Sequence, residues 1–534
     1  MAHYDVLIKN ANVFDGSGAP PFQADIGIHD NRIAAIGDLS TDTGGLIFAA
    51  AGLSVAPGFI DTHTHSDMSA LYNPSMTSMI SQGVTTQVVG NCGLCLGMTT
   101  KDPLFIFEQR WQAAYGVEIS WSSLTENLRR VEENGIATNY LTLAGHGTLR
   151  KKVMGLQDRQ PDSSELEQMK KELAEAMEAG AWGISTGLEY PPSAFAKLDE
   201  LVSLAEVVQR YGGIYASHLR NEGDYLLESV EEAIAIGERA GIPVQLSHHK
   251  AEGRQNWGKV DQTLERVMQA RTAGLDVQLD QYPYTAFMTS MSVQFLPQWV
   301  NEGDHNATIA RLKDPVQRAA ILEEIRRCHP DWDDMSEDSI WYQVMIGVCR
   351  SNRSIQGHTV AELAAQDRKN PIEYILDIIL AERNMISAIN FAISERDIER
   401  VLRFPYTMIG SDAVGAHPDG KMLEDRIHPR CYGTFPRVLG HYVRDRQVIT
   451  EAEAIHKMTG MPATRLKLKD RGFLKPSYFA DITIYDPALI TDKATFENPH
   501  LISSGIEAVF VNGRLVFRDG EMLAARPGMV LRHN

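Results

Sequence analysis

Two histidines separated by one residue, His63 and His65, close the run AlaProGlyPheIleAspThrHisThrHis (56–65). Side chains two apart on a strand share a face, so an apolar strand entering through Phe59 and Ile60 presents both imidazoles at one spot. There they can hold one metal ion, or simply be satisfied by hydrogen bonds. The metal reading gains from other ligand types that end short, largely apolar segments. Cys92 ends ThrThrGlnValValGlyAsnCys, His218 ends GlyIleTyrAlaSerHis, His248 ends IleProValGlnLeuSerHis, and Asp412 ends TyrThrMetIleGlySerAsp. Each segment reads as a buried parallel strand whose last residue faces a common mouth.

The elements that position these residues fall into three parts. From Tyr4 to Ala50, apolar and polar residues alternate around turns such as AspGlySerGly, the pattern of antiparallel hairpins. The same texture returns at 480–486 and 508–517, where Asn512-Gly513 is a hairpin turn. Strands at both ends of the chain are expected to pair into one small β-sheet domain, residues 1–57 plus 466–534. Between them, over 58–465, apolar strands alternate with amphipathic helices such as the one at 163–179, which predicts an α/β fold, a (β/α)8 TIM-like barrel. Its strands are expected to begin at Gly58, Thr85, Ala137, Ala181, Gly213, Val244, Asp276 or later, and Tyr406, with Ile386–Ile393 competing for the seventh place. Residues 285–345, irregular and rich in Met, Pro, Trp and charge, read as a lid-like insertion over the mouth, where a TIM barrel places its function.

With 534 residues, 43% of them hydrophobic, the chain can bury a large core in more than one structural unit. A formal net charge of −18 disfavours nucleic acid or an anionic membrane as partner. No apolar run approaches a membrane span of ~20 residues and no signal-peptide core is seen, so a cytoplasmic location is expected. The five cysteines, odd in number and scattered, do not form a disulfide framework.

An ordered set of motifs resembles a known family: ProGlyPheIleAspThrHisThrHis, IleSerGlnGlyValThrThrGlnValValGlyAsnCysGly, GlyIleSerThrGlyLeuGluTyrProPro, SerHisLeuArgAsnGlu, LeuSerHisHisLys, GlnTyrProTyrThrAla, MetIleGlySerAsp and HisProArgCysTyrGlyThrPheProArgValLeuGly. Over almost its whole length the chain resembles the N-acyl-D-amino-acid deacylases (D-aminoacylases) of the amidohydrolase superfamily. The resemblance implies the amidohydrolase type of barrel with a small β-sandwich domain. It also implies a tightly bound Zn²⁺ on Cys92, His218 and His248, with His63, His65 and Asp412 framing a second, weaker position. Thiolate and imidazole suit zinc, and three protein ligands leave a position open. The implied reaction hydrolyses the amide of a small N-acyl-D-amino acid to a carboxylate and the free D-amino acid. Zinc activates water, while Asp412 as general acid/base accepts the proton of that water and passes it to the leaving nitrogen.

In the family pattern, Lys250 and Arg430 match positions that bind the substrate α-carboxylate, helped by Tyr190 and Tyr282. Lysine offers a point charge and guanidinium a bidentate fork. As isolated residues, the two cations could equally be solvated surface charges and the tyrosines core packing. No charge occurs from Gln281 to Val300, where Phe287, Met288, Met291 and Phe295 stand. A neutral or apolar side chain is therefore expected on the substrate, unless these residues form the lid's own core. After Asp412 the family's usual glycine is Ala413, and the loop after Cys92 lacks the usual serine and proline, departures that bear on substrate range.

Cys92-x-x-Cys95 could also signal redox or zinc-storage chemistry, which leaves the histidines and Asp412 unexplained. A hydantoinase or dihydroorotase type would act on cyclic amides, but it normally carries a carbamylated lysine at a strand end, and AlaTrpGlyIleSerThrGly (181–187) offers none. A non-catalytic scaffold typically loses ligands, whereas all six are present. His146 lacks an assigned role, Glu189 reads as a structural residue before a further acid or a partner to a ligand, and His249 is expected to point away from His248.

Overall fold

The computed structural model describes residues 2–99, 115–334, 336, 338–417 and 421–533. Eight strand positions form a barrel. In chain order they are β1 (Phe59–Asp61), β2 (Val84–Val89), β3 (Asn139–Thr142, continued after Leu143 by Ala144–Gly145), β4 (Gly183–Gly187), β5 (Ile214–His218), β6 (Val244–Leu246), β7 (Val277–Gln281) and β8 (Thr407–Ile409). All neighbouring ladders are parallel: β1 to β2 to Asn139–Thr142, then Ala144–Gly145 through β8. Strand β3 thus breaks at Leu143, its two halves serving different neighbours. The ring closes beyond the ends of β8 and β1. Thr64 bridges Ala413, Asp412 N donates to the His63 carbonyl at 2.8 Å, and His65 N donates to the Ala413 carbonyl at 2.8 Å. Closure therefore takes place at the residues that carry candidate ligands. Ala413 contributes through its backbone.

The strands are short and nearly all their residues are buried, polar ones such as Thr86, Gln87 and Ser185 included. Their outer faces are covered by helices whose ends are written in the sequence. Ser163–Glu178 begins at Asp162, which caps the backbone of Ser164 and Glu165 in a reciprocal capping box. This helix buries Met169, Leu173, Ala176 and Met177, spaced three or four apart on one face. Among the described residues no helix is long and apolar enough to cross a membrane.

Both ends of the chain build one nine-stranded sheet. Ser54–Pro57 joins them, running parallel to His3–Val13 and antiparallel to Ile482–Tyr485. The sheet encloses its own apolar core, which includes Val6, Ile8, Ile26, Ile482 and Phe510. Asn512 and Gly513 turn the hairpin between Ile506–Val511 and Arg514–Arg518 with φ of 49° and 76°, the paired positive angles of a type I′ turn.

Between β7 and β8 a further sheet, antiparallel where the terminal sheet is mixed, is inserted in the order Phe287–Ser290, Ile386–Asn390, Val344–Cys349. The seventh barrel place belongs to Val277–Gln281, and the competing segment at Ile386 is the central strand of this insertion. An apolar run of that length carries no sign of whether its neighbours are parallel or antiparallel. The expected lid, 285–345, contains the first of these strands and the start of the Val344–Cys349 strand. The insertion has its own core around Met291, Phe295, Trp341, Ile375 and Ile379.

The terminal sheet meets the barrel at Asp481. Its carboxylate accepts from Asn139 Nδ2 of β3 at 3.0 Å and from Asn512 N at 2.7 Å, and it pairs with the buried Arg471. Removing one partner of a buried ion pair leaves an uncompensated charge, which costs about 3–5 kcal/mol. Asp481→Ala is expected to lower the free energy of unfolding by that order, read as a lower midpoint of chemical unfolding. An unchanged midpoint would show that Arg471 is already compensated elsewhere.

Candidate metal centre

At the carboxyl ends of the strands, two groups of ligand atoms converge, each with all members within 4.8 Å of one another: His63, His65, Cys92 and Asp412, and Cys92, His218 and His248. All six sequence-predicted ligands are present, and Cys92 belongs to both groups. Its sulfur lies 3.2 Å from His63 Nε2 and 3.6 Å from His248 Nε2. His218 Nδ1 is 2.9 Å from His248 Nε2. Asp412 Oδ1 lies 3.0 Å from His65 Nε2 and 3.5 Å from His63 Nε2.

Three of the six hold a left-handed backbone, with φ of 52° at Cys92, 34° at His248 and 53° at Asp412. Residues other than glycine adopt this region only where the surroundings over-determine it, and here each amide or its neighbour is tied down. Gly93 N donates to Ser185 Oγ at 3.0 Å, His248 N to Asp280 Oδ1 at 2.7 Å, and Asp412 N to the His63 carbonyl.

The outward nitrogens of the histidines face carboxylates. His218 Nε2 is 2.8 Å from Glu189 Oε2, His248 Nδ1 is 3.1 Å from Glu222 Oε1, and His63 Nδ1 is 3.3 Å from Asp280 Oδ1. Such partners fix the ring and its tautomer so that the inward nitrogen is a free donor to a cation. Sequence reasoning left Glu189 open and missed Glu222 and Asp280. The signals were an acid four residues past His218 and an acid inside the otherwise uncharged strand β7.

Charge follows the same geometry. Burial disfavours the Cys92 thiolate, but His63 and His65, with hydrogen bonds from His218 and His248, hold its pKa well below the usual thiol value. Cys95, three residues on, is pushed by burial up to about 12. The two cysteines are thus opposite in character, as a ligand and a buried thiol would be. Burial also works against the Asp412 carboxylate, yet Arg430 and then His65 keep it well below the carboxylate range. A thiolate, imidazoles and one carboxylate form a donor set that fits zinc.

The four expected substrate residues line the same site. Lys250 Nζ is 2.5 Å from Glu222 Oε2, and Arg430 Nη1 is 2.8 Å from Asp412 Oδ2. Both cations are buried against carboxylates of the centre rather than solvated. Tyr282 lies between them, with its ring 4.8 Å from the Arg430 guanidinium carbon and 5.7 Å from Lys250 Nζ. Among the described residues its hydroxyl has no hydrogen-bond partner. Tyr190 packs on His218, ring centroids 4.7 Å apart, and its hydroxyl meets Thr289 Oγ1 of the insertion at 3.1 Å. Met291 and Phe295 are buried in the insertion's own core, so the lid-core reading holds for these two. His249 points away from the centre, with Nε2 2.7 Å from Thr263 Oγ1, and His146 lies outside both ligand groups.

Comparison with known proteins agrees with this geometry. Residues 47–517 match the model of the amidohydrolase family. The chain is 36% identical to a D-aminoacylase of Alcaligenes xylosoxydans xylosoxydans, covering 99% of this chain and 97% of that protein. It is also 36% identical to an N-acyl-D-glutamate deacylase of the same organism, again over 99% and 97%. Among solved structures, the N-acyl-D-glutamate deacylase of Bordetella bronchiseptica, complexed with zinc and a phosphonate mimic of the tetrahedral intermediate, superposes with a TM-score of 0.83 at 32% identity over 99% of both chains. The chain belongs to the N-acyl-D-amino-acid deacylase (D-aminoacylase) family of the amidohydrolases.

Proposed function

We propose that this protein is a zinc-dependent hydrolase that cleaves the amide of N-acyl-D-amino acids to a carboxylate and the free D-amino acid. One observation carries the reading: two donor groups share the Cys92 sulfur at the mouth of the barrel, with Arg430, Lys250 and Tyr282 beside them. Cys92, His218 and His248 would hold the tight zinc, and His63, His65 and Asp412, with Cys92 common to both, a weaker second position. Zinc bound there supplies Lewis acidity, lowering the pKa of a water ligand towards ~7 and polarising the amide carbonyl.

The residues of the chain supply the rest. Asp412 moves the proton, accepting it at Oδ1 on the side of His65 and delivering it to the leaving nitrogen. Arg430 lies against the other oxygen of Asp412, so its remaining N–H groups are the ones available to a substrate carboxylate. Lys250 adds a point charge while remaining paired to Glu222. Tyr282 screens both cations from water and offers its unpartnered hydroxyl, and Tyr190 forms the wall beside His218. The D configuration comes from the named relatives. D-aminoacylase and N-acyl-D-glutamate deacylase are equally similar to this chain, so identity does not choose the side chain. A neutral side chain is supported by the lack of any Arg or Lys from Gln281 to Val300, with Phe287 and Met288 remaining as candidates to meet it. All five cysteines are free thiols, which suits a reducing, cytoplasmic setting.

The deciding experiment pairs zinc-loaded protein with N-acetyl-D- and N-acetyl-L-forms of Met, Leu, Phe, Glu and Asp, with metal content read on the same sample. Turnover of D-Met or D-Leu is expected. Cleavage of D-Glu alone would keep the reaction and overturn the neutral pocket, and no cleavage of any of these amides despite bound zinc would overturn the linear-amide reading. Asp412→Ala is expected to retain most of its zinc and lose nearly all turnover; robust activity would remove Asp412 from proton transfer. Glu222→Ala is expected to weaken zinc binding about 10–100-fold, measured by chelator competition, because His248 loses the acceptor that orients it.

A further inference from the structure

Behind the metal centre runs a buried chain of polar side chains that contributes no ligand to it. His146 opens the helix His146–Met154 directly after β3. Its Nδ1 lies 2.9 Å from Ser193 Oγ and its Nε2 2.9 Å from Glu200 Oε1. Arg150, one turn along the same helix, pairs with the other oxygen of Glu200. All four side chains are buried. Burial disfavours the Glu200 carboxylate, but His146 and Arg150 outweigh it and keep the group ionised. An ionised carboxylate only accepts hydrogen bonds, so His146 Nε2 donates to it, while the other ring nitrogen, Nδ1, is held against the Ser193 hydroxyl.

Serine, histidine and acid in that order match the arrangement of a hydrolytic triad. Here the hydroxyl faces backbone instead of substrate. A Cβ placed on Gly93 or on Gly147 would stand 3.2 or 3.0 Å from Ser193 Oγ, so an acyl group has no approach, and Ser193 is not a nucleophile.

Instead, the chain ends where three loops of the mouth touch. Ser193 follows directly on the segment that carries Glu189 and Tyr190. The loop of Cys92 packs against the same region at backbone distance: a Cβ on Gly187 would lie 2.2 Å from the Cys92 carbonyl, and one on Gly145 would lie 2.7 Å from the Gly93 carbonyl. The helix that His146 opens also grips this loop, since Thr148 N donates to the Gly93 carbonyl at 3.1 Å and Cys95 N donates to Thr148 Oγ1 at 3.1 Å.

We propose that Arg150, Glu200, His146 and Ser193 form the positioning chain of the metal centre. They lock the loop after β4 to the helix after β3, so that Glu189 reaches the outer nitrogen of His218 and the Cys92 loop keeps the left-handed turn that aims its sulfur at both donor groups. This inference rests on the zinc reading given above. None of the four residues touches substrate; they act through Cys92 and Glu189.

The test compares Ser193→Ala and His146→Ala with Leu312→Ala, a core change in the insertion that controls for general loss of stability. Zinc affinity is read by chelator competition, and cobalt-loaded protein is followed by the sulfur-to-cobalt charge-transfer absorption that reports the Cys92 bond. Both chain variants are expected to bind zinc about 10–100-fold more weakly, to change the cobalt absorption, and to lose kcat more than KM. Leu312→Ala is expected to lower the unfolding midpoint with zinc affinity and spectrum unchanged. Wild-type affinity and spectrum in Ser193→Ala would overturn the proposal whatever the stability. Ser193→Ala also decides alone if His146→Ala fails to fold, because it leaves the Arg150, Glu200 and His146 contacts in place. Wild-type protein that binds neither zinc nor cobalt would overturn the metal reading itself, and this inference with it.

Discussion

A sulfur anion removed from water must be surrounded by positive charge and hydrogen-bond donors, and much of the barrel mouth follows from that requirement at Cys92. Leaving a buried charge uncompensated costs several kcal/mol per ion. Around the thiolate stand imidazoles, His63, His65, His218 and His248. Around these stand carboxylates, Asp280, Asp412, Glu189 and Glu222. Around two of the carboxylates stand the cations Lys250 and Arg430. Alternating layers of this kind let so many ionisable groups share one largely buried site. They also explain why the two basic residues are buried and paired: each balances an acid before any substrate arrives.

The convergence of the six candidate donors was legible in the sequence because two independent signals coincided, a residue type that can bind metal and a place just beyond a short buried strand. The Asn512-Gly513 hairpin followed from turn chemistry, whereas His249 points away from the centre beyond the end of β6, after the left-handed turn at His248, and not by strand alternation. What could not be read depends on register across the barrel. Glu222 and Asp280 become partners of His248 and His63 only when neighbouring strands are aligned, and no spacing along the chain reports that alignment. Composition likewise did not separate a substrate pocket from the lid's own interior, since Met291 and Phe295 suit both and are buried in the insertion core. The apolar segment at Ile386 was ambiguous because a buried strand shows neither the direction nor the sheet of its neighbours.

The insertion holds itself together differently from the way it holds to the barrel. Its interior is apolar and packed around Trp341 and the isoleucines of the helix Pro371–Ala381. Its contacts with the mouth include polar ones: Tyr190 to Thr289 at 3.1 Å, Gln294 Nε2 donating to Glu252 at 2.5 Å, and His428 to the Ala286 carbonyl at 2.9 Å. A self-contained unit joined through hydrogen bonds can shift as a body without exposing its core. Since Tyr190 also packs on His218, any such shift would be felt at the metal centre.

The nine-stranded sheet imposes an order on synthesis. Ser54–Pro57 is flanked by His3–Val13 on one side and by Ile482–Tyr485 on the other, so one edge of the early strands stays unpaired until the ribosome has delivered almost the entire barrel. Contacts this distant along the chain form slowly, and an open strand edge is a template for the wrong partner. For a nascent chain of this kind, the hazardous interval is the translation of the barrel itself. Its solubility during that interval depends on whatever shields the edge of Ser54–Pro57 before its second neighbour emerges.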